Sequence, residues 1–442
     1  MTDINWIGEI PQDWKLKRSK SLIIFRDGGA WGEDEHNDET DTICIRIADF
    51  DYDKLTLKEN NDYTKRNYNK STISKLLLKK GDILVEKSGG GEKTPVGRTI
   101  MFDEDFEALF ANFMDRLRVD ENQVLPMFME YLFVAMYQND ISRLYIKQTT
   151  GIQNLNLTEL LDREYFPVPH MDEQAKIIDF LNCKCKNIDE ILFDLNNQVE
   201  KLIKYRNSLI YSVTSKGIKK HLTYKEVDNE WYPEIPEHWR FMAMKRLTSI
   251  LTCGVASTPE YVDEEGGVLF LSAQNIQNNK LDLSIKKYIP VSLHKALTKN
   301  RKPEKGDILQ VRVGATIGKS AIVDIDEEFS VYVSLSHIRT NENMNNKFMN
   351  YIIGTDMFKE MASIDVDYAG SQGNLNVADL KEIKIPVPPI DEQIEIVNFL
   401  DDKCAKIDEL IKDKQTQIEK IEKYKKSLIY EYVTGKKRVK GV

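Results

Sequence analysis

Two glycine-rich loops hold the residues whose types and spacing come nearest to chemistry. Arg312-Val313-Gly314-Ala315-Thr316-Ile317-Gly318-Lys319-Ser320 has the composition of a phosphate-binding P-loop, in which backbone N–H groups cradle phosphates and a lysine reaches them. That motif needs four residues between its first glycine and the Gly-Lys pair, and only three separate Gly314 from Gly318. Ala321-Ile322-Val323 follows, a strand-like run where the motif demands a helix. An enzyme binding a nucleotide through Gly314 to Ser320 is therefore the rival reading, and ATP hydrolysis lost on Lys319→Ala would favour it. The counterpart loop runs from Lys87-Ser88-Gly89-Gly90-Gly91-Glu92-Lys93 to Gly97-Arg98. Small residues let backbone approach a ligand closely, and Lys or Arg reaches phosphates or guanine edges. Nucleic-acid contacts are thus expected from Lys87, Ser88, Gly90, Lys93 and Arg98, and from Arg312, Thr316, Lys319 and Ser320, with plain β-turns as the alternative.

Other chemistries fit less well. Asp82 and Glu86-Lys87 lack the spaced acid-x-Lys arrangement of a nuclease, and the counterpart ends in Gln310-Val311-Arg312, so nothing there would hold magnesium. Cys183-Lys184-Cys185 has no His or further Cys nearby to complete a metal site. Five cysteines, an odd number, argue for reduced thiols and a cytoplasmic home. No stretch has the apolar length of a membrane span, and the N-terminus lacks the character of a secretory signal. Pro386-Val387-Pro388-Pro389 lacks both the polar residue and the aromatic of a methyltransferase tetrapeptide. No catalytic residue, no metal and no cofactor bound by this chain are expected.

The net charge of −9 sits awkwardly with nucleic acid until it is localised. Acid clusters at Glu33-Asp34-Glu35, Asp38-Glu39, Asp103-Glu104-Asp105, Asp263-Glu264-Glu265 and Asp326-Glu327-Glu328 read as solvated loops. Between Tyr63 and Lys80 stand Lys65, Arg66, Lys70, Lys75, Lys79 and Lys80 with no acid among them. The matching stretch holds Lys286, Lys287, Lys295, Lys299, Arg301, Lys302 and Lys305 against Glu304 alone. Such recurrent patches are the footprint that a phosphate backbone requires. Lys65, Arg66 and Lys70, with Lys299, Arg301 and Lys302, join the expected DNA contacts, against the reading of a solvated helix face.

The elements that must position these residues are themselves duplicated. Trp6, Glu9-Ile10-Pro11 and Trp14 recur as Trp231, Glu234-Ile235-Pro236 and Trp239; Gly81-Asp82-Ile83-Leu84 recurs as Gly306-Asp307-Ile308-Leu309; Asn154-Leu155-Asn156 recurs as Asn374-Leu375-Asn376. Each half closes on Pro-Val-Pro, Asp-Glu-Gln and a long helical run. In the first run, Ile178, Leu181, Cys185, Ile188, Leu192, Leu195, Val199, Leu202 and Leu209 keep a heptad seam until Arg206 interrupts it. The second has Val397, Leu400, Cys404, Ile407, Ile411, Ile418, Ile421 and Leu428, with Lys414 and Lys425 as polar breaks. Neither helix has a use for so narrow a stripe alone, and the short connection at 216–230 favours antiparallel pairing. Asp172 and Asp391 are expected to cap these helices, and Asn156 and Asn376 to cap short helices upstream, with ligand contact as the second reading of those two Asn residues. The expected fold is α+β: two globular domains, 1–170 and 217–389, in pseudo-twofold repeat, separated by two long helices, 171–216 and 390–437, that form an antiparallel coiled coil.

This ordered set, ending in Tyr-Lys-Lys-Ser-Leu-Ile-Tyr and Val-Thr-Gly-Lys, resembles the DNA-specificity subunit of type I restriction-modification systems over essentially the whole chain, twice. The resemblance implies two target-recognition domains, each reading one half of a split double-stranded DNA sequence, with helices that hold them at a fixed separation. It implies that methylation comes from two copies of a partner methyltransferase using S-adenosylmethionine. Cleavage would come from an ATP-driven motor and nuclease subunit that also needs magnesium. The first half departs from the pattern at Gly151-Ile152-Gln153-Asn154, against Gly370-Ser371-Gln372-Gly373-Asn374, and at Pro169-His170-Met171, against Pro388-Pro389-Ile390.

Overall fold

A computed structural model describes residues 6–59, 62–149, 151–277, 279–314, 316–363 and 375–439. The chain divides into two compact units, Met1–Asn197 with Lys414–Val442, and Gln198–Asp413. Its helices are α1 (Lys70–Leu76), α2 (Pro126–Gln138), α3 (Leu157–Arg163), α4 (Met171–Lys216), α5 (Val291–Thr298), α6 (Asn346–Ile353), α7 (Asp356–Ser363), α8 (Val377–Glu382) and α9 (Ile390–Val433).

The first unit is built on a four-stranded antiparallel sheet in the order Ile23–Gly28, Met114–Val119, Ile83–Glu86, Thr99–Met101. A three-stranded sheet places Asp41–Ile45 between parallel Ala108–Phe110 and antiparallel Lys65–Asn67. The second unit repeats both. Its four strands run Thr248–Cys253, Leu335–Thr340, Ile308–Val311, Ser320–Ile322, and its three-stranded sheet centres on Gly267–Leu271 between Phe329–Val331 and Tyr288–Pro290. The expected α+β duplication is therefore present at the level of strand order. Each unit has two apolar cores, one under the four-stranded sheet and the long helices, the other around the three-stranded sheet.

Gly81 and Gly306 adopt φ of +86° and +93°, which only glycine takes readily, and each turns the chain into a wholly buried strand. The aspartate that follows serves the turn and the sheet at once. Asp82 accepts the N–H of Lys79 and pairs with Arg118; Asp307 accepts the N–H of Glu304 and pairs with Arg339 and His337. Burial alone would raise the Asp307 carboxyl, but the Arg339 and His337 hydrogen bonds hold it below its ordinary value.

The two long helices pack antiparallel. In the first unit Phe180 of α4 lies against Tyr432 of α9 with ring centroids 4.4 Å apart, and Asp189 meets Lys425 at 2.6 Å. In the second, Arg206 meets Asp408 at 2.9 Å. The seam residues Leu181, Ile188 and Leu195, and Val397, Leu400, Ile407 and Leu428, are buried; Ile178, Leu192, Leu202, Leu209, Ile411, Ile418 and Ile421 are half-buried. Polar interruptions of the seam are thus answered across the pair: Arg206 by Asp408 and Lys425 by Asp189. A paired charge in a helix seam disfavours shifted registers, because a slip leaves it buried alone.

Asp172 and Asp391 do not cap. Both helices begin one residue earlier, so these carboxylates lie in the first turn, where they complement the helix dipole. The glutamine of Asp-Glu-Gln fastens the helix instead. Gln174 accepts the N–H of Leu125 and donates to the carbonyls of Pro169 and Gln123; Gln393 accepts the N–H of Asn345 and donates to those of Pro388 and Asn343. Asn156 and Asn376 cap α3 and α8 as expected, accepting from Glu159 and Ala378.

Candidate nucleic-acid interface

The glycine loops are β connections. Lys87 leads into the short strand Ser88–Gly89, which pairs with Ile152–Leu155 and through it with Ile146–Thr149. Ser88 Oγ donates to Asn154 Oδ1 at 2.7 Å. Gly90 takes φ +58°, and a Cβ there would stand 2.9 Å from the Val96 amide nitrogen, so the turn requires glycine. In the second unit the loop from Arg312 to Lys319 joins strands Ile308–Val311 and Ser320–Ile322. No helix follows it, which removes the P-loop geometry. The second-repeat stretch in register with the Ile146–Leu155 hairpin includes 366–374, with Asn374 and the Gly370-to-Gly373 motif, and lies outside the described residues.

The loop cations differ in availability. Lys87 is held by Asp115 at 2.6 Å, and Arg98 by Glu86 at 2.9 Å while lying 3.8 Å from the Tyr52 ring centroid. Burial pushes the Glu86 carboxyl up, opposed by Arg98. Arg312 is buried, its Nε donating to the Leu375 carbonyl at 2.9 Å, and Ser320 is 0% exposed. Neither side chain can reach a ligand from there, so both work inside the fold. Thr316 is half-buried, while Lys93 and Lys319 are exposed without an ion-pair partner among the described residues.

The basic patches are less basic in space than along the chain. Arg66 meets Asp34 at 2.5 Å, Lys70 meets Glu39 at 3.5 Å, and Lys80 meets Asp105 at 2.7 Å. Lys302 pairs with Glu328, Lys305 meets Asp326 at 2.9 Å, and Arg301 donates to Thr252 Oγ1. Acid clusters read as separate solvated loops thus fold back onto the bases. Lys65, Lys75, Lys79, Lys286, Lys295 and Lys299 keep no ion-pair partner among the described residues, and they carry what remains of the positive footprint.

Two exposed rings accompany these patches and were not singled out by composition. Trp31 is 40% exposed and Tyr261 43%. The Arg66 guanidinium lies 4.7 Å from the Trp31 ring centroid, and Lys287 Nζ 4.8 Å from that of Tyr261. A signal existed in the sequence: each aromatic stands two residues before an acidic triplet, Glu33-Asp34-Glu35 or Asp263-Glu264-Glu265.

No group of three or more His, Cys, Asp or Glu among the described residues is arranged to hold a metal ion, and no helix among them is long and apolar enough to cross a membrane. A cleft of about 960 Å³ in the first unit is lined by Ile178, Cys185 and Phe193 of α4 and by none of the expected DNA contacts.

Against this geometry, the family profile of the type I restriction modification DNA specificity domain matches residues 11–205 and again 236–420. A Methanocaldococcus jannaschii protein named for the MjaX type I restriction enzyme specificity subunit is 27% identical, over 98% of this chain and 96% of its own length. The EcoBI type I restriction enzyme specificity subunit of Escherichia coli is 23% identical, over 98% of this chain and 88% of its own. A chain from a structural study of type I restriction-modification complex assembly and conformational transition superposes with a TM-score of 0.68. It is 13% identical, covering 96% of this chain and 98% of that one, and shares the fold.

Proposed function

The chain belongs to the type I restriction-modification DNA-specificity family, as a non-catalytic subunit with two target-recognition domains, and we propose that each domain reads one half of a bipartite duplex sequence. The recognition domains are residues 1–170 and 217–389, and the helices of 171–216 and 390–437 set the half-site spacing. The exposed lysines, from Lys65 and Lys93 to Lys299 and Lys319, meet phosphate and hold the register, while other side chains enter the major groove.

The observation that carries this reading is duplication without identity. Strand order, turn aspartates, helix-fastening glutamines and cross-helix ion pairs all recur, while the loops between them differ. A shared framework with divergent loops suits two different half-sites held in one geometry.

The same helices dock two methyltransferase copies. Apolar side chains stand exposed on them at positions 219 apart (410 − 191 and 424 − 205): Ile191 with Leu410, and Tyr205 with Tyr424. Isolated exposed rings and aliphatics on a long helix are what a docking helix covers. The methyltransferase supplies S-adenosylmethionine chemistry, and an ATP- and magnesium-dependent restriction subunit supplies cleavage, all in the cytoplasm. Mapping methylated positions in a host that carries this chain and its methyltransferase tests the proposal. A split motif with an unread spacer is expected; a contiguous motif would overturn it. Adding four residues, about 6 Å of helix, near Leu195 and in step near Ile418 should lengthen that spacer.

A further inference from the structure

Trp31 and Tyr261 occupy the same place in the two repeats, and composition alone would not have paired them. Each lies in the connection between the edge strand of the four-stranded sheet and the central strand of the three-stranded sheet. Each connection is then tied to the edge strand of the three-stranded sheet by an isolated antiparallel bridge, Glu33 to Asn67 in one unit and Val262 to Tyr288 in the other. Two bases come to the ring here: Lys65-Arg66, in the edge strand immediately before Asn67, and Lys286-Lys287, leading into the edge strand immediately before Tyr288. The second base of each pair lies on the ring, and the first is exposed without an ion-pair partner among the described residues.

The local backbone holds the Trp31 ring in place. Arg66 donates to the carbonyls of Trp31 and Gly32 at 3.2 Å each, and the Tyr68 hydroxyl to that of Trp31 at 3.2 Å. Gly32 has φ +73°, and a Cβ there would fall 2.7 Å from the Asn67 carbonyl oxygen. In the second unit the Tyr288 hydroxyl donates to Glu264 at 2.6 Å, fastening the acidic triplet beside the ring. Both units thus present a half-exposed aromatic with a cation on its ring, which offers a ligand apolar area and charge at one place.

The chemistry selects base edges over phosphate. A loop that carries three carboxylates next to its cation is repelled by a phosphate backbone. In the major groove, however, carboxylates accept from cytosine N4, Arg and Lys donate to guanine, and apolar side chains meet the thymine methyl group. The residue types also differ, Trp with Arg against Tyr with Lys, as they must where two half-sites differ. Resting on the specificity reading above, we propose that Trp31 and Tyr261 are base-contacting residues, one in each recognition domain, each positioned by the cation on its ring.

The test uses the full chain purified with its methyltransferase subunit and the duplex that this complex methylates. One good base contact corresponds to roughly tenfold in affinity. Trp31→Ala and Tyr261→Ala should each weaken binding to that duplex about tenfold and leave binding to a scrambled duplex within about twofold. Methylation mapping should show each variant relaxing a different half of the motif. Trp31→Phe, which keeps a ring, should retain most of the specific affinity. Equal losses on both duplexes, or Phe falling as far as Ala with a lowered melting temperature, would overturn the proposal. So would unchanged DNA binding with loss of methyltransferase, which would make the rings a protein contact. A wild-type complex without a split motif would sink the specificity reading itself; a split motif that neither variant alters sinks only the base contacts.

Discussion

At matching places under their four-stranded sheets, the first unit buries a carboxyl where the second holds a half-buried amide with its Oδ1 out of solvent. The Tyr131 hydroxyl donates to Asn182 and that of Tyr351 to Asp401, each at 2.7 Å, which aligns their neighbours Glu130 and Asn350. Glu130 is 0% exposed, accepts one hydrogen bond from Thr99 at 2.8 Å, and leaves Oε2 without a partner among the described residues. Burial pushes its acid up to about 8, so at neutral pH it is a protonated, uncharged group, close in shape and polarity to the amide of its counterpart. The framework tolerates a polar group at this site and rejects a charge, because nothing packed around it could compensate one. A second contrast lies at the helix starts. Trp14 donates to Glu173 at 3.1 Å, whereas the Trp239 indole nitrogen is buried without a partner among the described residues and Glu392 is taken by His238 at 2.8 Å.

The strongest break in the equivalence should come from the helices. Ile191→Glu with Tyr424→Glu alters only the first unit, and native mass spectrometry of the complex should fall from two methyltransferase copies to one. Tyr205→Glu with Leu410→Glu should do the same from the second unit, and retention of both copies would move docking elsewhere.

Next in size are the turn aspartates. Asp82→Ala leaves Arg118 without its carboxylate, while Arg116 keeps Asp27 at 2.8 Å, and removing one partner of so largely buried a pair costs about 3 kcal/mol. Asp307→Ala leaves Arg339 with Glu304 still at 3.2 Å, so its loss in urea denaturation should be the smaller.

Glu130 then separates the units by pH. Its folded acid is raised, so its contribution to stability is whole below the unfolded value near 4.5 and is lost as pH rises towards about 8. Glu130→Gln should therefore raise stability at pH 7 by about 3 kcal/mol and flatten the slope between pH 5 and 8. An unchanged slope would place the titration elsewhere. Smallest of all, Trp14→Phe should cost about 1–2 kcal/mol more than Trp239→Phe, since only the first gives up a buried hydrogen bond to a carboxylate.

Periodic and local signals were legible before any coordinates. The heptad seams, the recurrence of Gly81-Asp82-Ile83-Leu84 at Gly306-Asp307-Ile308-Leu309, caps Asn156 and Asn376, and the doubling of the chain depend on residues within a few positions of one another, or on self-comparison. Charge was legible only as composition. Lys70, Lys80, Lys302 and Lys305 stood in runs almost without acids, yet each found one from a cluster 21 to 31 residues away in sequence. Arg312 and Ser320 looked like loop ligands because glycine marks a turn without telling which flanking side chains face the core.

The sequence by itself therefore determined the two-domain plan, the paired helices and the family, since hydrophobic period and ordered motifs are written along the chain. Tertiary structure alone decided which lysines keep no ion-pair partner among the described residues, which carboxyl is held protonated, and that Trp31 and Tyr261 stand on equivalent edges with a cation on each ring. Coulomb energy and desolvation depend on distances through space between residues far apart in sequence, and those exist only once the sheets have closed.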